Sequence, residues 1–283
     1  MTILVTGATG TVGHEVARQL AAAGHRVRAL TRDPARAEAE GRLPEGVAAV
    51  AGDLTRPETV LGALEGATGL HLINFGGDDY APLDGAGAEL VRLAEKAGVR
   101  RVTMLLGGEK GPVEQAVEAS GMAWTHLQPV EFMANALDWA ESVRAEGEVR
   151  AAFAHTRSAM VHEADIAAVA VAALTEDGHG GRTYTLTGPE ALTRPEKVRV
   201  LAEAVGRDIR YVELTEEQAR AAWAAEGHSP ETIEFFVWVH GNTPEIGYTV
   251  VPTVEEVTGR PARTFAQWAA EHADAFRGPA AGA

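Results

Sequence analysis

Apolar and polar positions alternate in short blocks along the first half of the chain. "TILVTG" (2–7) is a β-branched run of strand character. "TVGHEVARQLAAAG" (11–24) follows, with Val12, Val16 and Leu20 on one helical face and Gly24 as a stop. "HRVRALTR" (25–32) and "VAAVAGDL" (47–54) predict the next two strands, and Thr55-x-x-Glu58 reads as a capping box after the third. "GLHLINFGG" (69–77) predicts a fourth strand and "DGAGAELVRLAEKAG" (84–98) a long helix. "VRRVTMLLGG" (99–108) and "MAWTHLQP" (122–129) predict two more strands, separated by a helix opened by Pro112. Strands alternating with helices imply βαβ units, hence a parallel sheet covered on both faces.

The rhythm changes near residue 130. "VEFMANALDWAESVRAEG" (130–147) predicts a helix. "ADIAAVAVAAL" (164–174) predicts another, with Asp165 placed to cap it, and "RTYTLTG" (182–188) a strand. Later blocks are short helices, the strand "IRYVEL" (209–214) and a C-terminal helix, "TFAQWAAEHADAF" (264–276). The expected organisation is a sheet domain over 1–150, with 160–188 returning to it, and a smaller α+β lobe over 189–283 on the substrate side. The tail "GPAAGA" is expected to be disordered.

Composition narrows the function. The chain has 283 residues and a net charge of −15, from 25 basic against 40 acidic residues. No stripe of Lys and Arg offsets that charge, which argues against nucleic acid or an anionic membrane as partner. With no cysteine, disulfides, thiolate nucleophiles and Cys-ligated zinc are excluded, and a reducing cytoplasm is the expected location. The start enters an apolar strand at residue 3 without a basic stretch, so no signal peptide is expected. The longest apolar run, "IAAVAVAAL" (166–174), is too short to span a bilayer. Oligomeric state is not set by these features.

The first strand-to-helix connection carries the chemistry. "VTGATGTVG" (5–13) spaces Gly7, Gly10 and Gly13 as G-x-x-G-x-x-G between a strand and a helix. Glycine lets the backbone turn sharply and approach a pyrophosphate, whose oxygens the free N–H groups of the helix N-terminus then bind. Without a ligand the same pattern is a tight turn, but the strand, helix and following strand are the context of a dinucleotide site. The expected fold is therefore α/β, a doubly wound parallel sheet of the Rossmann type.

At the end of the second strand stand Thr31, Arg32 and Asp33. An Arg here suits the 2′-phosphate of NADPH, while Asp33 keeps NADH open or, followed by Pro34, caps a helix. Asp53 in "GDL" either accepts from the adenine amino group or is a turn residue. Asn74, Phe75 and Gly76, after the fourth strand, and Gly107, after the fifth, lie at strand ends, where ligands of doubly wound sheets sit.

Together these residues resemble the NmrA-like branch of the atypical short-chain dehydrogenase/reductase superfamily. "GATGTVG", "LTRDP", "GDL", "SGMAWTHLQPVEFMAN", "HEADIAAVAVAAL", "YTLTGPEALT" and "VTGRPARTFAQW" match that branch in order over nearly the whole chain. The resemblance implies that Gly7, Thr9, Gly10, Thr11 and Val12 line the pyrophosphate, Arg32 meets the 2′-phosphate, and Asp53 and Leu54 lie near adenine. It places Pro129 and Phe132 near the nicotinamide end. It also matches Lys110 and Glu114 to a Lys-x-x-x-Glu pair whose Lys lies near the nicotinamide ribose. Members include quinone and dye reductases, biosynthetic reductases and non-catalytic redox sensors.

The wider superfamily uses Tyr-x-x-x-Lys plus Ser as its proton relay. Here the tyrosines are Tyr80, Tyr184, Tyr211 and Tyr248, none with Lys four residues on, and Gly107 and Gly108 stand where relatives carry Ser. Reducing an isolated ketone leaves an alkoxide whose conjugate acid titrates near that of water, about 16. Reducing a quinone leaves a phenolate that titrates near 10, and those roughly six units are worth ~8 kcal/mol. A conjugated small-molecule acceptor is thus the expected substrate of an NADPH-dependent oxidoreductase without that relay. The alternative is a catalytically silent NADP(H) sensor acting through a protein partner, and a third reading is an isomerase or cyclase.

Other candidates each carry two readings. His126 is a proton donor or a packed strand residue. His155, His162 and Asp165 share H-x-x-D spacing, which by itself makes no metal site, and no metal is expected. Tyr80 covers substrate or is merely exposed. Trp223, Phe235, Phe236 and Trp238 line an apolar acceptor pocket or fill the core of the small lobe.

Overall fold

The computed structural model describes residues 1–77 and 81–277. Its main sheet contains β1 (Thr2–Val5), β2 (Arg26–Thr31), β3 (Ala48–Ala51), β4 (Gly69–Leu72), β5 (Arg101–Leu105), β6 (Ala123–Pro129) and β7 (Arg182–Leu186). The strand order is β3-β2-β1-β4-β5-β6-β7, and every pairing is parallel. The order reverses between β1 and β4, the switch point at which such sheets open a crevice. Helices α1 (Thr11–Ala22), α2 (Pro34–Ala39), α3 (Asp84–Lys96), α4 (Pro112–Ala119) and α5 (Glu163–Thr175) cross between the strands.

By their contacts the residues form two compact units. The first is 1–129 with 163–186 and 253–260; the second is 130–162 with 187–252 and the residues from 261 onward. The expected boundary at 150 followed the strand–helix rhythm, whereas the contacts group 130–162 with the later residues.

In the first unit, Leu4, Leu70, Leu72, Val102 and Met104 fill a core beneath α3 and α4. Helix α5 is buried almost all round, from Glu163 to Leu174. That explains the unbroken apolar run in its sequence: a helix without a polar face has no solvent face to present. Its alanines let it lie close against α1, where Gln19 Nε2 donates to the Ala164 carbonyl at 2.9 Å.

In the second unit, the strand Glu148–Ala151 pairs in parallel with Arg210–Glu213. The core is built on Phe265, Trp268 and Phe276, with Leu201, Val143 and Met133. Phe265 and Trp268 stack at 5.5 Å between ring centroids. Buried Lys197 pairs through Nζ with Glu131 Oε2 at 3.0 Å and also donates to Ser158 Oγ at 2.5 Å.

Four sequence expectations are corrected. The helix expected over 130–147 is a 3-10 turn over Met133–Trp139 followed by α-helix over Ala140–Glu146. Phe132 is extended and bridges Val161, so the helical path starts only after it. The Thr55 capping box does not form, because Thr55 Oγ1 donates to Asp53 Oδ1 at 2.7 Å and the next turn begins at Pro57. Asp165 sits inside the first turn of α5, which begins at Glu163, rather than ahead of it. β4 stops at Leu72, and Phe75–Gly76 instead pairs antiparallel with Ala81–Pro82. Tyr80 and the tail 278–283 lie outside the described residues.

His71 makes stability depend on pH. It is fully buried in β4, with Nδ1 2.9 Å from Thr103 Oγ1, and Nε2 has no hydrogen-bond partner. Burial alone pushes its pKa down to about 4. A folded-state value below the unfolded one means that stability is present at neutral pH and is lost as pH falls from about 6.5 towards 4. The expected loss from this residue between pH 7 and pH 5 is about 2 kcal/mol. Chemical denaturation at the two pH values measures it, and His71→Leu should remove that part of the slope. An unchanged slope in the variant would clear His71 of the effect.

Candidate cofactor site

Thr6 fastens the two strands at the reversal point. Its N–H and hydroxyl both donate to the His71 carbonyl, at 2.9 and 3.0 Å, and its Oγ1 accepts from Ile73 N at 2.9 Å. The chain then turns through Gly7 at φ +64°, and Gly10 N donates to the Gly7 carbonyl at 2.9 Å. A Cβ on Gly13 would lie 2.2 Å from that carbonyl oxygen, so only glycine lets α1 start this close. Gly10 is the N-cap of α1, and no side chain caps the helix. Thr9, Gly10 and Thr11 are exposed, while the Val12 side chain is buried, which leaves its backbone as the group a ligand could meet. The uncapped N–H groups and the positive end of the helix dipole suit a pyrophosphate.

Beside this turn, Arg32, Ala51, Gly52, Asp53, Arg56 and Thr59 line a depression of about 220 Å³. Arg32 is exposed at the end of β2. Asp33 caps α2, its Oδ1 accepting from Arg36 N at 3.0 Å, with Pro34 at the first helical position. Asp53 is committed to its own turn: Oδ1 accepts from Thr55 N and Oγ1, and Oδ2 from Arg56 Nε at 3.2 Å. Burial pushes the Asp53 carboxyl up, but the hydrogen bonds from Thr55 and Arg56 outweigh it and hold the carboxyl below its ordinary value. Leu54 is buried behind this turn. Sequence reasoning passed over Arg56; its position three residues after Asp53 was the available signal.

At the ends of β4 and β5, Asn74 and Glu114 meet. Asn74 Nδ2 donates to Glu114 Oε1 at 2.6 Å, and Gly111 N donates to Glu114 Oε2 at 2.9 Å. The Glu114 carboxylate is buried, so its two oxygens fix both Asn74 and the start of α4. Phe75 and Gly76 follow, half-buried. Lys110 pairs with Glu118 at 2.6 Å, one helical turn beyond the Glu114 that the family pattern suggests. The hydrogen bond from Lys110 holds the Glu118 carboxyl below its usual range. Glu118 Oε1 also lies 3.1 Å from His126 Nε2. His126 is wholly buried, and burial pushes its pKa down, as in a packed neutral strand residue. Gly107 is exposed, and a Cβ there would meet nothing within 4 Å.

Pro129 ends β6 in the first unit and is half-buried. In the second unit Phe132 is half-buried. There the helix Pro230–Gly241 corrects the core reading of its aromatic residues: Phe235 is 55% exposed and Trp238 53%. They join Trp223 and Phe236 in one aromatic cluster, with neighbouring centroids 5.3 to 6.3 Å apart. The core they were expected to fill is taken by Phe265, Trp268 and Phe276. His162 Nε2 lies 3.2 Å from Glu271 Oε2, and among the described residues no group of three or more His, Asp or Glu could hold a metal ion. Among them, too, no helix is long and apolar enough to cross a membrane.

A parallel sheet in this order, with an uncapped helix and a glycine turn at its reversal point, defines a dinucleotide-binding α/β protein. Comparison with known proteins specifies the class. The profile of the NmrA-like family matches residues 1–104. Over 97% of this chain and 99% of its own length, a (4-alkanoyl-5-oxo-2,5-dihydrofuran-3-yl)methyl phosphate reductase of Streptomyces griseus is 40% identical. An NAD(P)H azoreductase of Xenophilus azovorans is 39% identical over 97% of this chain and 99% of its own length. The NADPH complex of an Escherichia coli NADPH-dependent quinone oxidoreductase superposes with a TM-score of 0.79. That structure is 24% identical, covering 96% of this chain and 99% of the other. The chain belongs to the NmrA-like family.

The glycine turn yields a paired test. Gly13→Ala forces a methyl group against the Gly7 carbonyl and should cost about 2–3 kcal/mol of stability. Gly107→Ala enters open space and should change stability by less than about 0.5 kcal/mol. Thermal or urea denaturation of the two variants checks the contrast.

Proposed function

We propose that the protein is an NADPH-dependent oxidoreductase that passes hydride to a conjugated small-molecule acceptor of the quinone or azo-dye class. The observation that carries this reading is the end of β5. It offers Gly107 and Gly108 in the open, with no hydroxyl, beside a nucleotide site whose turn and helix are intact. The full-length likeness to an NAD(P)H azoreductase supports the same class of acceptor. So does the likeness to a reductase whose named substrate carries an alkene conjugated with carbonyl groups.

Bound NADPH supplies the hydride. The chain's own part is positioning. The α1 N-terminus and the turn at Gly7 hold the pyrophosphate, and Arg32 meets the 2′-phosphate. Asn74, fixed by buried Glu114, presents a side-chain amide at the β4 end. Lys110, tethered by Glu118, keeps a cation at the mouth of α4 for the ribose hydroxyls. With no protein acid at β5, water protonates the reduced product, which is affordable only when charge spreads over a conjugated system. The ~8 kcal/mol gap between a phenolate and an isolated alkoxide sets that limit. Absence of cysteine supports a reducing, cytoplasmic location.

Following NADPH absorbance against a panel of quinones, azo dyes and simple ketones tests the reading. Turnover is expected with the first two and not with ketones, and no turnover with any acceptor would overturn it. Arg32→Ala should weaken NADPH about tenfold or more while changing NADH little.

A further inference from the structure

Arg56 has no part in the reading so far, yet it shares the depression with Arg32. Two guanidinium groups and one carboxylate, that of Asp53, line this pocket. Arg56 reaches Asp53 Oδ2 with both Nε and Nη2, each at 3.2 Å. A guanidinium has five N–H donors, and this contact engages only one edge of the fork. Among the described residues its remaining donors form no other side-chain hydrogen bond, and its side chain is 66% exposed. Asp53 is meanwhile locked from the other side by Thr55, so the carboxylate is a fixed anchor for Arg56. Arg36, four residues after Arg32, pairs with Glu40 at 2.7 Å.

The charge balance gives Arg56 its purpose. A monoester phosphate carries about −1.5 to −2 charges at neutral pH. With Arg32 and Asp53 alone the pocket would be neutral, and a phosphate would meet a carboxylate. Arg56 covers that carboxylate, so the lining carries two guanidinium groups against one carboxylate.

We propose that Arg56, anchored by Asp53, is the second cation that receives the 2′-phosphate and sets the preference for NADPH over NADH. This rests on the NADPH reading above and assigns its selectivity to a pair of arginines on different strand ends. Arg56 neutralises the Asp53 carboxylate and donates to phosphate oxygens with the free edge of its fork.

The test is direct binding, by calorimetry or fluorescence, of NADPH, NADH, 2′,5′-ADP and 5′-ADP to wild type, Arg56→Gln, Arg56→Lys, Asp53→Asn and the Asp53→Asn/Arg56→Gln pair. Arg56→Gln should weaken NADPH and 2′,5′-ADP by about tenfold or more and change NADH and 5′-ADP by less than about twofold. Arg56→Lys should restore part of the difference. In the Asp53→Asn background the Arg56→Gln loss should shrink, because no carboxylate is left to uncover. An unchanged NADPH-to-NADH ratio in Arg56→Gln overturns the proposal while leaving Arg32 and the oxidoreductase reading in place. Equal loss of both dinucleotides overturns it too and puts Arg56 on the adenosine. If wild type binds no dinucleotide, the oxidoreductase reading fails and this proposal with it.

Discussion

The carbonyl of Gly7 leaves no room for a side chain at residue 13, and the nucleotide end of the first unit depends on that contact. It brings the first turn of α1 onto the end of β1. Thr6, one residue earlier, bonds to His71 and Ile73 and holds the β1 and β4 ends together where the strand order reverses. The helix therefore starts uncapped at the mouth of the crevice, with its orphan N–H groups available. Capping by a Ser or Asp side chain would satisfy those groups internally and remove the anion site. The local instability of an open helix end is thus the condition for binding, and the buried strands behind it supply the stability it lacks.

Much of this was legible in the sequence because it rests on steric requirements that few residues can meet. Gly7, Gly10 and Gly13 mark the turn, the β-branched runs mark the strands, and Asp33 with Pro34 marks the start of α2. What was not legible is which of several compatible partners a charged side chain takes. Lys110 has Glu114 at a suggestive spacing, but Glu114 is drawn inward to Asn74 and Gly111, so Lys110 turns to Glu118. Thr55 has a capping-box spacing to Glu58, but Asp53 Oδ1 already accepts from both the N–H and the hydroxyl of Thr55. Spacing along the chain ranks local partners only; burial and the approach of other strands decide among them. The aromatic residues near 235 failed for a related reason. Hydrophobic character implies burial on average, and the small core was already full.

Lack of the Ser and of the Tyr-x-x-x-Lys pair of the usual relay limits the chemistry without harming the fold. Gly107 is not required by its backbone, and a side chain there would meet open space. Its role is therefore not to relieve strain. A site without that relay has no means to protonate a localised alkoxide. On the reading proposed above, the acidity of the reduced product then limits which acceptors such a site can use.

Electrostatics poses the last constraint. A chain of net charge −15 repels any polyanionic ligand at long range. At physiological salt that repulsion is screened beyond about 8 Å, so recognition has to be made from charges within one contact of the phosphate. The positive end of α1 and the arginines of the β2–β3 rim are such charges. Each is tied to its place by backbone geometry or by a neighbouring carboxylate, and not by a broad basic surface. An acidic protein can in this way hold an anionic cofactor by charges placed locally. The Asp53 carboxylate is engaged by Thr55 and Arg56, and the turn it builds sets Arg56 beside Arg32 in the same depression.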